Sequence, residues 1–446
     1  MSKQSRRNFL GHVVGGVAAS ASVPAFLRAE DVSRSVTGFD LAFEADVRMD
    51  RLRGAASLLG PLDVADEDFW GLVKAAFPFR EGLIFLHAAN LCPSPVSVQQ
   101  RVFELTRSVD RDASSNNRRK FGQLREDART ALARLLGADA DEIAIVRNTS
   151  AANATVVNGL DLGPGDEVVL WDQNHPTNST SWDVRAERYG YTVKRVSTPA
   201  YPTTAQELLV PFLAAMTART RLVSFSHVSN ISGVRLPARD IVAAAHSRGA
   251  LAMVDGAQSF GCLEVDLHDI GCDFYTGSAH KWFVGPKEAG VLYVRGEVQP
   301  DVWATHVGVG WTNAVEGGAR KFENLGQRDD AAVSAVGTAV EFHETLGKAR
   351  IDARVKELAA ALKDGLADRL PGTRFHTPRD PALSGGVVVC LPPGMNAREA
   401  LSALYTDHNI AAGAMGGDFT GLRLCPHMYN TLADLEQVVD AIASLA

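Results

Sequence analysis

From residue 143 onward the chain alternates short apolar runs with helical segments, and that rhythm constrains its fold more than any other feature. The runs 143–146, 167–171, 192–196, 222–226, 251–254, 273–275 and 289–294 are brief and rich in β-branched and aliphatic residues. Between them, 152–160, 182–189, 205–215 and 238–247 carry helical patterns. Strands that read as near-continuous apolar runs are buried on both faces, and helices make the return crossings. The expectation is therefore an α/β domain built on a mostly parallel sheet. In such sheets ligands gather beyond the carboxyl ends of the strands, so the residues that follow each strand carry the chemistry.

Those residues form a series. After 143–146 stands Arg147-Asn148-Thr149-Ser150-Ala151-Ala152-Asn153, a hydroxyl-rich turn at a helix N-terminus. Its free N–H groups with Thr149 and Ser150 can hold a phosphate, although a plain N-cap accounts for the same residues. After 167–171 comes His175, set against Pro176, whose ring can stack on a planar cofactor; a solvated loop histidine is the plainer alternative. After 222–226, His227-Val228-Ser229-Asn230 brings Asn230 to the same rim. After 251–254 comes Asp255-Gly256-Ala257-Gln258. An acid at the end of an apolar strand is costly without a positive partner, and a protonated ring nitrogen is one. Gln258 is within reach of the same ring, and a helix N-cap is the other account of Asp255.

The last member is Thr276-Gly277-Ser278-Ala279-His280-Lys281-Trp282-Phe283-Val284-Gly285-Pro286. Lys281 sits among small and aromatic neighbours, not on a charged helix face. A partly desolvated amine has a lowered pKa and can form a Schiff base with an aldehyde. A buried structural lysine explains this stretch equally well when it is read alone. A phosphate turn, a stacking ring, an anion for a ring nitrogen and a Schiff-base lysine, met in strand order, together describe pyridoxal 5'-phosphate.

These motifs resemble the class V aminotransferase group of fold-type I pyridoxal-phosphate enzymes, which includes cysteine desulfurases, kynureninases and isopenicillin-N-epimerase-like proteins. The resemblance covers residues 75–446. It implies that Lys281 bonds the cofactor aldehyde, that Ser278 and His280 lie near the phosphate with Thr149 and Ser150, and that Asp255 pairs with the ring nitrogen. It further implies Gln258 toward the phenolic oxygen, His175 on the ring face, Asn230 beside the ring, and Arg423 on the substrate carboxylate, a task that suits a bidentate guanidinium. Glu323-Asn324-Leu325-Gly326-Gln327-Arg328-Asp329 resembles the segment that dimers of this group send into the partner's phosphate site, with Gln327 in place of the usual threonine. A homodimer is implied. Desulfurases carry a nucleophilic cysteine on the loop before the carboxylate arginine. Here that loop, 411–419, has none, which places the chain nearer the epimerase-like branch. Arg118, Arg119 or His87 are candidates for the distal part of the substrate, with a solvated basic loop as the alternative for the arginines.

At 446 residues the chain exceeds one core. The expected division is an N-terminal helical segment over 30–78, a large cofactor-binding domain over 79–328, and a smaller α+β domain over 329–446 with strands near 386–391 and 421–424. A net charge of −7 with no basic run interleaved with aromatics argues against nucleic acid. Five scattered cysteines without a CxxC pair exclude zinc-ligand spacing. Ser5-Arg6-Arg7-Asn8-Phe9-Leu10 and the Gly/Ala-rich stretch after it read as a twin-arginine export signal over 1–29, too short in its apolar part for a membrane span. The mature form is then expected in the periplasm, free of the membrane and near −11, because four basic residues leave with the signal.

The functional expectation is a pyridoxal-phosphate enzyme acting on the amino group or Cα of an amino acid or amino-acid-containing metabolite, as a transaminase, epimerase or lyase. Siderophore-peptide tailoring, known among exported relatives, is one extension. The alternatives are a cysteine or selenocysteine desulfurase and a binding protein that keeps the fold without turnover. The second of these would have lost Lys281 or Asp255, and both are present.

Overall fold

The computed structural model describes residues 38–446 apart from Pro61, so the twin-arginine stretch lies outside the described residues. Strand β1 (Ile84–Phe85) precedes seven strands that form one sheet: β2 (Ile143–Val146), β3 (Glu167–Trp171), β4 (Thr192–Val196), β5 (Thr220–Ser226), β6 (Leu251–Asp255), β7 (Phe274–Ser278) and β8 (Gly290–Val294). Their order is β2-β8-β7-β6-β5-β3-β4. Pairings among β3 to β7 are parallel, while β8 runs antiparallel to both its neighbours.

Side-chain alternation explains why the strands read as continuous apolar runs. Ile143, Ile145, Val169 and Trp171 pack on one face, and Ala144, Val146, Val168 and Leu170 on the other, so both faces are dry. Only the edge strand β4 is largely open. It presents Thr192, Lys194 and Arg195, charges of the kind that discourage pairing with another chain.

Element boundaries differ from the sequence expectation where pairing extends them. β6 runs through Asp255 and β7 through Ser278, because the ladders with their neighbours continue to those residues. The acid and the serine are thus held on strand ends and not on loops. The helix Thr149–Gly159 begins three residues earlier than its apolar pattern does, because Asn148 caps it by accepting from Ala151 N–H at 3.0 Å. The long pattern after Asp329 is two helices, Asp330–Leu346 and Lys348–Arg369, separated by Gly347 at φ 87°. The N-terminal segment is likewise two helices, Gly38–Ala56 and Glu67–Ala75.

Strands β9 (Arg374–Phe375), β10 (Val388–Leu391), β12 (Gly413–Met415) and β13 (Gly421–Leu424) make an antiparallel sheet in the order β12-β13-β10-β9, while β11 (Ile410–Ala411) pairs in parallel with β1. Leu358, Leu362, Leu404, Val438 and Ile442 build a separate core beneath them, which Ile84 and Leu86 join. An isolated bridge continues the contact from His87 to Cys425. The segment after the N-terminal helices is therefore laid along the C-terminal strands, and His87 arrives beside Arg423. Among the described residues no helix is long and apolar enough to cross a membrane.

Candidate active site

The carboxyl end of β6 places Asp255 in a prepared socket. The side chain is 2% exposed. Its Oδ2 accepts from Asn153 Nδ2 at 3.0 Å and Asn178 Nδ2 at 3.3 Å, and its Oδ1 accepts from Ala257 N–H at 3.0 Å. Each asparagine is oriented in turn: Thr276 Oγ1 donates to Asn153 Oδ1 at 2.9 Å, and Ser224 Oγ donates to Asn178 Oδ1 at 3.2 Å. A buried carboxylate is expensive unless its lone pairs are met, and here three N–H groups meet them.

One strand away, β7 ends on Ser278. Its hydroxyl lies 2.9 Å from Thr149 N–H and 2.7 Å from Thr149 Oγ1. Two of the residues assigned to a phosphate are thus joined at the N-terminus of the Thr149–Gly159 helix, where backbone donors and the helix dipole favour an anion. Ser150 is exposed on the same turn.

Lys281 follows on the next turn. Burial pulls its amine below the ordinary lysine range; Asp255 opposes this and Arg423 assists it. His175 is lowered first by burial and then by Lys281 and Arg423, against Asp255. Lys281 and His175 thus both lie within reach of the charges of Asp255 and Arg423. His175 also caps the helix Pro176–Tyr189: its Nδ1 accepts from Thr177 N–H at 3.2 Å and lies 2.8 Å from Thr177 Oγ1, which fixes the ring. His280 is lowered by burial and by its neighbour Lys281. Gln258 Oε1 accepts from Trp282 Nε1 at 2.7 Å and its Nε2 donates to Ala89 O at 3.1 Å, which leaves one amide hydrogen free to donate elsewhere.

The opposite wall comes from the C-terminal strands. Arg423 Nη1 donates to Asn230 O at 3.2 Å, so Asn230 joins the site through its backbone. Arg423 Nε and His87 Nδ1 are both buried and, among the described residues, have no hydrogen-bond partner. A Cβ on Gly413 would stand 2.7 Å from His87 Cε1 and 3.3 Å from Arg423 Nε, so glycine is what lets both side chains pack there. His87 is lowered by burial and then by Arg423. Arg118 joins a different group: its guanidinium donates to Gln327 Oε1 at 2.6 Å and lies 3.6 Å from Asp330.

Sequence reasoning passed over Asn153, Asn178 and Trp282. Asn153 stands four residues after Thr149, on the same helix face, and that spacing was the available signal. All five cysteines are free and buried. Burial pushes the Cys92 and Cys390 thiols up to about 12, and that of Cys425 upward as well.

The donor set fits pyridoxal 5'-phosphate: a buried acid for the ring nitrogen, an amine of lowered pKa, a helix N-terminus with two hydroxyls for the phosphate, and a guanidinium with an unpaired N–H for a carboxylate. The protein-family model Aminotransferase class-V matches residues 88–438. Isopenicillin N epimerase of Streptomyces clavuligerus is 34% identical over 391 residues, covering 84% of this chain and 98% of that protein. A probable cysteine desulfurase of Methanothermobacter thermautotrophicus is 31% identical over 290 residues, covering 63% of this chain and 71% of that one. Among solved structures, a complex between a cystine C-S lyase and its reaction product cysteine persulfide superposes with a TM-score of 0.74 at 23% identity, covering 83% of this chain and 100% of that one. An apo cysteine desulfurase from Thermococcus onnurineus gives 0.74 at 22%, over 84% and 97%. These two share the fold. With a family match that spans most of its length, the chain belongs to the class-V aminotransferase family of pyridoxal-phosphate-dependent enzymes.

Proposed function

We propose that this enzyme moves a proton at the Cα of an amino acid or a peptide-borne amino acid, in an epimerase- or aminotransferase-type reaction. The observation that carries this reading is Lys281 buried within reach of the charges of Asp255 and Arg423 while every cysteine is buried. The bound cofactor supplies an aldehyde for amines and an electron sink for the pair left at Cα. Asp255 would hold the positive charge of the cofactor's ring nitrogen. Arg423, with its Nε unpaired among the described residues, would hold the substrate carboxylate and so orient the groups at Cα. Lys281 Nζ, whose charged form burial disfavours, is the base that would take the Cα proton. The isopenicillin N epimerases that align over nearly their full length support the epimerase side. Desulfurase chemistry needs an accessible thiolate, and neither the buried cysteines nor residues 411–419 offer one.

The test is Cα–H exchange in deuterated water, followed by NMR across a panel of L- and D-amino acids and short peptides, siderophore-type peptides included. Interconversion of the L and D configurations with the amino group retained marks epimerisation, and appearance of a keto acid marks transamination. Robust sulfide release from cysteine, without exchange elsewhere, would sink the proposal.

We also propose a homodimer and periplasmic export. Trp303, Val307, Val309 and Leu325 are exposed beside a cleft of about 490 Å³ lined by Ala151, Thr155 and Gln327, which supports a partner chain there. Export rests on Arg6-Arg7 in the N-terminal sequence alone. Sedimentation of the purified chain and fractionation of cells carrying Arg6→Lys with Arg7→Lys test the two.

A further inference from the structure

Two buried histidines, remote in sequence, hold the turn that carries Lys281. We propose that His343 and His427 are positioning residues for the Lys281 amine, an inference that rests on the reading of Lys281 given above. After β7 the chain folds back on itself: Gly285 N–H donates to Ala279 O at 2.7 Å, and Val284 N–H donates to Lys281 O at 2.9 Å. The next two carbonyls point inward. His427 Nε2 stands 2.7 Å from Trp282 O, and His343 Nε2 stands 2.9 Å from Phe283 O. A carbonyl only accepts, so both Nε2 atoms carry the proton. The two histidines are 0% and 2% exposed.

Their rings lock the same residues by contact. His343 lies flat on Phe283, with centroids 4.8 Å apart and planes at 10°; His427 meets Trp282 edge-on at 5.1 Å and 76°. Trp282 passes the restraint to the site through its indole N–H, which donates to Gln258. Cys92 N–H closes His280 O at 2.7 Å, and Ser94 Oγ closes Gly285 O at 2.8 Å. Within this turn Val284 adopts φ 49°, a left-handed conformation that a β-branched residue takes only under compulsion. Such a residue persists where its surroundings over-determine it, and donors on consecutive carbonyls do so. The amine at the end of Lys281 inherits that placement, and a reacting group displaced by a fraction of an ångström loses much of its effect.

The experiment uses the full chain loaded with pyridoxal 5'-phosphate. His343→Phe and His427→Phe keep an aromatic ring and remove the donor; His343→Gln and His427→Gln restore an N–H at nearly the same reach. The readouts are the absorption band of the bound cofactor, the pH midpoint at which that band changes, and kcat separated from KM. The phenylalanine variants are expected to move the midpoint by about one pH unit or more. They are expected to lower kcat about tenfold with KM within about twofold, and the glutamine variants to return both toward wild type. Folded phenylalanine variants with a wild-type midpoint, or glutamine variants that restore nothing, would overturn the proposal. So would phenylalanine variants at both positions that fail to fold, since the histidines would then be packing residues only. Wild type that shows no band on loading would bring down the reading of Lys281 itself, whereas a normal wild-type band with unmoved variants removes the positioning role alone.

Discussion

The two walls of the site are built in opposite ways. Around Asp255 every lone pair engaged has a fixed donor, and those donors have donors of their own, in Asn153, Asn178, Thr276 and Ser224. Around Arg423 the polar groups stop short: its Nε and the His87 Nδ1 are buried without partners among the described residues. Burying an unmet polar group costs about 1–3 kcal/mol, so a wall left in that state is waiting for a group that arrives and leaves. The first wall is finished by the chain itself and suits a resident cofactor; the second is finished by the substrate. Variants on the finished wall should therefore act on kcat and cofactor retention, and variants on the open wall on KM.

The largest break is Lys281→Ala. Loss of the Lys281 amine should lower kcat on the order of 10⁴-fold and abolish the covalent cofactor band, with Tm nearly unchanged. Full activity in this variant would end the comparison. Asp255→Asn comes next, at about 10²–10³-fold in kcat. Asn153→Ala, which removes one charged hydrogen bond and leaves the acid in place, should cost about 10–100-fold and weaken cofactor retention, measured by dialysis. If Asn153→Ala changed KM alone, the finished wall would not be a unit.

Acid should attack the turn that carries Lys281 through its buried histidines. His343 is held down to about 4 and His427 to about 3, each mainly by burial, against 6.5 for a free imidazole. Both are neutral in the folded protein, while the unfolded chain takes up protons below about 6.5. Their stability contribution is therefore complete above that pH and is lost as pH falls toward 4 and 3. By pH 4 the loss is about 3 kcal/mol for each, and it should appear as a falling Tm that flattens in His343→Gln.

Legibility in the sequence follows the range of the interaction. The strands of the large sheet are visible as apolar runs, and Asp255, which directly follows one, and Thr149 and Lys281, on the turns after theirs, are visible through them. Asp255 and Ser278 could still be mistaken for loop residues, since only the neighbouring ladder shows that β6 and β7 reach them. His343 and His427 were invisible: they lie 60 and 145 residues from the carbonyls they meet, and within their own segments they read as an ordinary helix face and a turn. The pairing of Ile84 with Ile410, which sets His87 against Arg423, has no local signature at all.

On the open wall, Arg423→Lys should raise KM about 10–100-fold and leave kcat within a few-fold, because a point charge replaces a planar fork without touching the cofactor.

The smallest effect sharpens the boundary between the walls. His87 is kept from its usual protonation first by burial and then by Arg423, and a Cβ on Gly413 would stand 3.0 Å from its Nδ1. A neutral imidazole there adds one hydrogen bond to whatever the guanidinium holds. His87→Ala removes it from a site that still has Arg423, so KM should rise only about threefold to tenfold, in line with about 1 kcal/mol for one neutral hydrogen bond. Gly413→Ala should exceed that, because the new methyl displaces both the ring and the guanidinium at once. The pair of variants decides where the open wall ends. If His87→Ala releases cofactor and leaves KM alone, His87 belongs with Asp255. If Gly413→Ala is silent, the two unpaired groups do not serve one substrate.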